Sequence, residues 1–331
     1  MVKGVGVLFF VMLACSILPT AHAQEDSKTT AKASDVTDKS DKQTVLSDDD
    51  PDSLLTNNKL RAESGSKSRF SIASTLAYNG GSISRPFGDY RPNIQDVNGQ
   101  SPISDVEGGI SLKYNITPRD SILLGETVRF VTPLSNLKTV PGGYTGQKVD
   151  TYSPALNYQR IYKVWGLQSY YQVGPGWETR TDYTRIGYMG NFGIYNVNAY
   201  DIGTSRFTVG LESAAQYAWF HTPTAHPDVG YSLQDTEDAS TDYLLEAFPY
   251  LEYKINDKLN LRTVCMYFSI EHTLAHNGDF NVWTKDVAMQ SVGLGISVTR
   301  DIFLYPNVQF IPDELRSKQT NVALSTDINL F

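Results

Sequence analysis

Cysteine, long hydrophobic runs and positive charge are all scarce in this sequence, and each scarcity excludes a class of protein. The 331 residues include two cysteines, Cys15 and Cys265, and Cys15 falls within a leader-like segment. The one remaining cysteine leaves no internal disulfide. A formal net charge of −8 does not suit a surface that neutralises phosphates, so nucleic acid is not an expected partner.

Residues 1–23 have the composition of a secretory signal peptide. Lys3 provides the basic start, a short apolar stretch follows, and the small residues of PTAHA suit cleavage after Ala23. A lipoprotein site at Cys15 is the alternative. Beyond this leader no apolar run of about 18 residues occurs, so no membrane-spanning helix is predicted. A membrane location stays open, because a transmembrane β-strand needs only about ten residues, half of them apolar.

Residues 24–68 lack aromatic side chains and carry many charges of both signs. A segment of this composition buries too little apolar surface to offset the entropy lost on ordering. We therefore predict a disordered segment over 24–68 that acts as a solvated spacer. A plug or a cell-wall contact is the alternative.

From Arg69 onward the sequence is rich in Tyr and Phe and alternates between apolar and polar residues, which predicts an all-β fold. The clearest segment is 206–219, where Phe207, Val209 and Leu211 share one face. The connections alternate in length, with tight turns such as 203–205 and long loops such as 220–240. Sorting long loops to one end is typical of a closed antiparallel transmembrane β-barrel, here of about 12 strands over 69–331. A soluble β-sandwich would not need to have its loops sorted by length in this way.

On its leader, its loop asymmetry and its final Phe331, the chain resembles the transmembrane β-barrels of Gram-negative outer membranes. The resemblance implies the outer membrane as the location, with segment 24–68 in the periplasm. It implies membrane lipid and the barrel-assembly machinery as partners, with Phe331 as the assembly signal. One departure is that Asn329 and Asp327, counted back from Phe331, are polar where the family has apolar residues. Assembly into a homo-oligomer is left open.

Strand parity predicts a polar lumen. The predicted lining residues are Glu107, Lys113, Glu126, Glu212, Glu246, Glu252 and Arg262. In the third strand Glu126 and Arg129 have opposite parity, so one of them must face lipid. Arg129 is nearer the loop end, where a long cation can snorkel to the interface, so we predict that Glu126 faces inward.

A polar lumen within about twelve strands predicts a channel for passive diffusion of small hydrophilic solutes, narrowed by an inward-folded loop at 140–147 or 79–105. Charges of both signs predict little ion preference. One alternative is a barrel whose long loops act in adhesion or binding. The other is an outer-membrane hydrolase, since long loops combine acidic residues with four histidines: His221, His226, His272 and His276. No motif supports catalysis, so no catalytic residue, metal or cofactor is predicted.

Overall fold

The computed structural model describes residues 50–92, 103–131, 133–134, 148–180, 183–184, 187–221, 241–266, 269–273, 282–285, 288–313 and 315–331. Within these ranges the chain forms two short helices, α1 (Pro51–Leu54) and α2 (Asn58–Glu63), and fourteen β-strands. No helix among the described residues is long and apolar enough to cross a membrane. The predicted signal peptide, residues 1–23, lies outside these ranges.

The alternating segments form strands because successive side chains of an extended chain point to opposite faces. The strands are β1 (Phe70–Ser82), β2 (Asp105–Asn115), β3 (Asp120–Val131), β4 (Lys148–Val164), β5 (Leu167–Trp177), β6 (Tyr188–Asp201), β7 (Phe207–Phe220), β8 (Thr241–Lys254), β9 (Leu259–Met266), β10 (Ser269–Thr273), β11 (Val282–Lys285), β12 (Met289–Thr299), β13 (Ile302–Phe310) and β14 (Asn321–Leu330).

In the described part of the chain these strands close into an antiparallel ring of twelve wall positions. β9 and β10 both pair with β8 and are two pieces of one position, and β11 and β12 are two pieces of another. The ring closes where β1 pairs with β14, with Ile72 opposite Leu330. Closure pairs the backbone groups that an open sheet edge would expose. The predicted closed barrel of about 12 strands is therefore confirmed.

The outer face of the barrel is apolar. Leu112, Leu124 and Leu156 form a row across β2, β3 and β4, and all three are exposed. Aromatic pairs lie toward both ends of the wall. The ring centroids of Phe70 and Tyr114 are 4.9 Å apart near the tight turns, which we call the turn end. Outward apolar bands of this kind face lipid in transmembrane barrels.

The predicted inward orientation of Glu126 is wrong. Glu126 is exposed on the outer face opposite Ile110, whereas Arg129 lies opposite Glu107 on the inner face. Arg129 Nη2 is 2.7 Å from Asp105 Oδ2, and its Nε is 3.7 Å from Glu107 Oε2. The inward carboxylates of β2 stabilise the guanidinium inside. An outward Glu destabilises a barrel less than an outward Arg does.

Residues 50–68 are folded, so the prediction of disorder across 24–68 is wrong for this part, while 24–49 lies outside the described residues. The segment enters the barrel from the turn end, and Leu55 and Leu60 are fully buried. Both leucines belong to a cluster with inward-facing wall residues such as Tyr170 and Phe303. We call residues 50–68 the plug, which was the alternative interpretation of this segment.

Candidate functional site

Asn57 joins the plug to the barrel wall just before α2. Its side-chain oxygen accepts a hydrogen bond from the N–H of Leu60 at 3.1 Å and so caps the helix. Its side-chain nitrogen donates to Glu252 Oε2 at 2.8 Å. The N–H groups of Thr56 and Asn57 donate to Gln168 Oε1 at 2.6 and 2.8 Å. One wall amide and one wall carboxylate thus satisfy the polar groups where the plug turns into α2.

Wall side chains donate hydrogen bonds to plug carbonyls at the C-terminal end of α2. Asn329 Nδ2 donates to the Ala62 carbonyl at 2.6 Å, and Gln159 Nε2 donates to the Ser64 carbonyl at 2.7 Å. The Lys113 ammonium also donates to the Ser64 carbonyl. The last carbonyls of a helix have no partner within the helix and attract cations. The barrel therefore provides external capping for α2.

Gly65 allows the plug to pass close to Lys113. Its φ is +88°, and a Cβ at this position would lie 2.5 Å from Lys113 Nζ. Arg300 holds both ends of the plug, because its Nη1 donates to the Gly65 carbonyl at 2.7 Å and its Nε donates to Asp52 Oδ1 at 2.8 Å. The plug therefore forms a loop that enters and leaves the lumen at the turn end.

The plug and the wall share a buried group of charges, which we call the central charge cluster: Lys59, Glu63, Glu212, Glu252 and Arg262. Lys59 Nζ lies 2.8 Å from Glu63 Oε2 and 3.1 Å from Glu212 Oε1. Arg262 contacts both Glu212 and Glu252 and is only 1% exposed. Charges withdrawn from water this far are stable only when paired, which these contacts achieve.

Two larger cavities border the plug. The inner cavity, of about 600 Å³, is lined by Lys59, Glu63, Glu212, Arg262 and Asp327 among other residues. The turn-side cavity, of about 560 Å³, is lined by basic residues, namely Lys67, Arg69, Lys113, Arg119 and Arg300, and by Asp50. The plug therefore stands between two cavities within the barrel, each of which is lined in part by charged side chains.

The structure brings some of the predicted lining residues together and separates others. Glu212, Glu252 and Arg262 belong to the central charge cluster, and Lys113 contacts the plug backbone. Glu107 accepts a hydrogen bond from Tyr152, Glu246 lines a smaller cavity of about 190 Å³, and Glu126 faces outward. Their part in a conduction path stays a prediction.

The two loops predicted to constrict the lumen lie wholly or partly outside the described residues, so their role stays a prediction. Residues 140–147 are not among the described residues. Neither are 93–102 of the 79–105 loop, whose first residues continue β1 to Ser82. Within the described part of the chain the segment that fills the lumen is the plug, which the sequence composition predicted to be a spacer. The sequence features that could have revealed the plug are Asn57, which precedes a helical turn, and the apolar residues Leu55 and Leu60.

Two of the four histidines, His221 and His272, lie within the described residues. His272 Nδ1 lies 2.5 Å from Asp242 Oδ1, and both side chains are buried. His226 and His276 lie outside the described residues, and His221 follows the end of β7. The described residues contain no group of His, Cys, Asp and Glu side chains that could hold a metal ion.

Phe331 leaves the register of β14. Its φ is +79°, and its side chain is 81% exposed. Its carbonyl accepts a hydrogen bond from the Ser66 hydroxyl at the end of the plug. This rotation explains why alternate positions counted back from Phe331 are polar: the apolar face of β14 is the one that includes Leu330. The role of Phe331 as an assembly signal stays a prediction.

A closed antiparallel wall that is apolar outside, connected by tight turns at one end and lined by many polar side chains inside defines a transmembrane β-barrel. No protein-family model matches the sequence, and no curated protein sequence matches it.

Similar solved structures include an outer membrane channel from Pseudomonas putida F1, which is 10% identical over 81% of this chain and 97% of that chain, with a TM-score of 0.47. The NanC porin is 9% identical over 78% and 97%, with a TM-score of 0.38. Outer membrane phospholipase A from Escherichia coli is 14% identical over 77% and 89%, with a TM-score of 0.37. These likenesses assign no activity to this chain.

Proposed function

We propose that this barrel is an outer-membrane channel for the passive diffusion of small hydrophilic solutes, and that the plug sets its closed state. The observation that supports this most is the set of charged and polar side chains that face the lumen, with a cavity of about 600 Å³ on one side of the plug and one of about 560 Å³ on the other. Barrels that store an apolar ligand require an apolar interior instead. Small polar solutes and outer-membrane lipid are the expected partners.

The interactions of the plug are compatible with movement. Burial of Leu55 and Leu60 contributes about 1.5–3 kcal/mol each. Each hydrogen bond to the wall adds a net ~0.5–1.5 kcal/mol. Each of these contributions is a few kcal/mol or less, and none of them is a hydrogen bond between wall strands, so the plug can leave its site without breaking the barrel.

The two other functions have weaker support. An adhesin would act through long loops, which fall largely outside the described residues. A hydrolase requires a nucleophile activated by a base. The His272–Asp242 pair can act as a base and its orienting group, but the pair alone supplies no nucleophile. We therefore propose no catalytic step. Recognition by the barrel-assembly machinery and homo-oligomer formation stay predictions.

Planar-bilayer recording of the purified full chain tests the proposal. Gln168→Ala removes the acceptor for two plug N–H groups. Because that loss should weaken docking by about 1–3 kcal/mol, we expect stepwise conductance with an open fraction about tenfold higher than in the unmodified protein. Gln172→Ala, which changes the next inward-facing glutamine of β5, is the matched control. Absence of conductance steps from all three proteins would overturn the channel proposal.

A further inference from the structure

Lys59 extends from the plug into the acidic surface of the wall. Its ammonium lies 3.1 Å from Glu212 Oε1 on β7 and 2.8 Å from Glu63 Oε2 on its own helix. Tyr195 on β6 supports this arrangement, because its hydroxyl donates to Glu63 Oε1 at 2.9 Å. The docked plug thus holds a primary ammonium group against the wall at the edge of the inner cavity.

Asp327 provides a second, independent observation. Its side chain lines the same inner cavity and the residue is 9% exposed, yet its carboxylate makes no hydrogen bond or ion pair with any other described residue. Acidic side chains buried to this extent are normally paired. Asp327 is close enough to Lys59 and Glu63 to interact with both electrostatically. The wall therefore has an acidic group left over beside the docked lysine.

The charges of the wall show what this site would attract. Three acidic side chains of the wall, Glu107, Glu212 and Asp327, line the inner cavity, and Arg262 is the one basic side chain of the wall among its lining residues. Docking of the plug adds one basic and one acidic side chain, Lys59 and Glu63, so acidic groups still outnumber basic groups at the cavity. A cleft with low-dielectric walls and an excess of one sign concentrates ions of the opposite sign.

We propose that the inner cavity contains a binding site for solutes that carry a primary ammonium group, and that Lys59 occupies this site as an internal ligand while the plug is docked. The proposal rests on the channel function and names its substrate class. Glu212 is the wall group that pairs with the ammonium. Asp327 is the second carboxylate, which engages a solute when the plug lysine is absent.

Chemical complementation of Lys59→Ala tests the site. Beyond Cβ the lysine side chain is a propylammonium group, so n-propylammonium chloride is the probe and 1-propanol is the uncharged control. By titration calorimetry on the detergent-solubilised full chain, we expect Lys59→Ala to bind n-propylammonium but not 1-propanol. Adding Asp327→Asn to this variant should weaken binding by about tenfold. Lys254→Ala, which removes an exposed lysine paired with Asp257, should show no gain in binding.

Two results would overturn the proposal: equal affinity with and without Asp327→Asn, or no gain in binding for Lys59→Ala over the unmodified protein. The heat-dependent gel shift of a closed barrel reports folding of each variant, and Lys59→Ser, which leaves nearly the same space beyond Cβ, replaces Lys59→Ala if the latter does not fold. Bilayer recording distinguishes failure of the ammonium-site proposal from failure of the channel proposal. Binding without conductance would remove the channel function and leave the site. Conductance without ammonium binding would remove only the site.

Discussion

Leu60→Ala is the most direct perturbation of plug docking. Leu60 is fully buried between α2 and the inner wall, and the barrel strands do not depend on it for their hydrogen bonds. The substitution removes apolar contact from the plug and leaves a void against the wall. We therefore expect a shift of the plug toward its undocked state with little change in the barrel.

The expected shift is large enough to measure. A buried Leu→Ala change costs about 2–5 kcal/mol, and the lower part of this range applies where neighbouring side chains can move into the space. About 2–3 kcal/mol increases the undocked fraction about 30- to 150-fold. Unfolding of the barrel in urea should be almost unchanged, since closure of the wall does not require the plug.

A cysteine at position 64 reports docking. Ser64 is 3% exposed, so a thiol there reacts with a bulky reagent only when the plug is undocked. Ser64→Cys is combined with Cys265→Ser, and Cys15 falls within the predicted signal peptide. The labelling rate should rise about 30- to 150-fold when Leu60→Ala is added, in proportion to the undocked fraction.

Leu124→Ala is the matched control, because Leu124 is 55% exposed on the outer face of β3 and is distant from the plug. It should leave the labelling rate unchanged. If Leu60→Ala also left the labelling rate unchanged, or if it lowered the urea stability of the barrel as much as it raised labelling, the plug would be an inseparable part of the fold. The description of the plug as a docked segment would then be wrong.

Two further predictions concern the wall register and the plug end. Arg129→Leu should destabilise the barrel by about 2–3 kcal/mol, because it leaves Asp105 buried without its guanidinium partner. Glu126→Leu should be neutral or stabilising, because the side chain lies on the lipid-facing surface. Urea unfolding compares the two variants, and a destabilising effect of Glu126→Leu would contradict the register. Burial alone would raise the pKa of Asp50, but its hydrogen bonds with Lys67 and the Asp52 N–H, together with the nearby charges of Lys67 and Arg300, hold the pKa below its usual value. The resulting stabilisation of the docked plug is present above the unfolded-state pKa and is lost as the pH falls through the lowered pKa of the folded state. Conductance should therefore rise below about pH 4 in the unmodified protein but not in Asp50→Asn. An equal response to acid in both proteins would refute this prediction.

The barrel could be predicted from sequence because its constraints are local and repeated. A wall in contact with lipid on one side and water on the other imposes a two-residue period on every strand. Tight turns such as 203–205 fix where each pair of strands begins. Leu330 and Ile72 could therefore be placed on the same outward face before their pairing was known.

The plug could not be predicted because low apolar content is a sign of disorder only where a folded segment must bury apolar surface. Inside a polar lumen that condition does not hold. Gln168, Gln159 and Asn329 provide hydrogen-bond partners for the plug backbone, so two buried leucines are sufficient. Averaging composition over 24–68 also concealed the short segment that folds.

Glu126 was misassigned because the prediction considered one strand at a time. Within β3, Glu126 and Arg129 are equally plausible inward residues. The decision depends on the neighbouring strand, where Glu107 lies opposite Arg129 and Ile110 lies opposite Glu126. Cross-strand partners of this kind determine which of two charges is stabilised.

The groups that hold the plug come from strands far apart in the chain: Lys113 from β2, Glu252 from β8 and Asn329 from β14. These three groups surround the plug only when the sheet is curled into a closed ring. Because residues 50–68 are synthesised before any strand, we expect the segment that is made first to dock last. A newly closed barrel would then pass through an open state before the plug occupies the lumen.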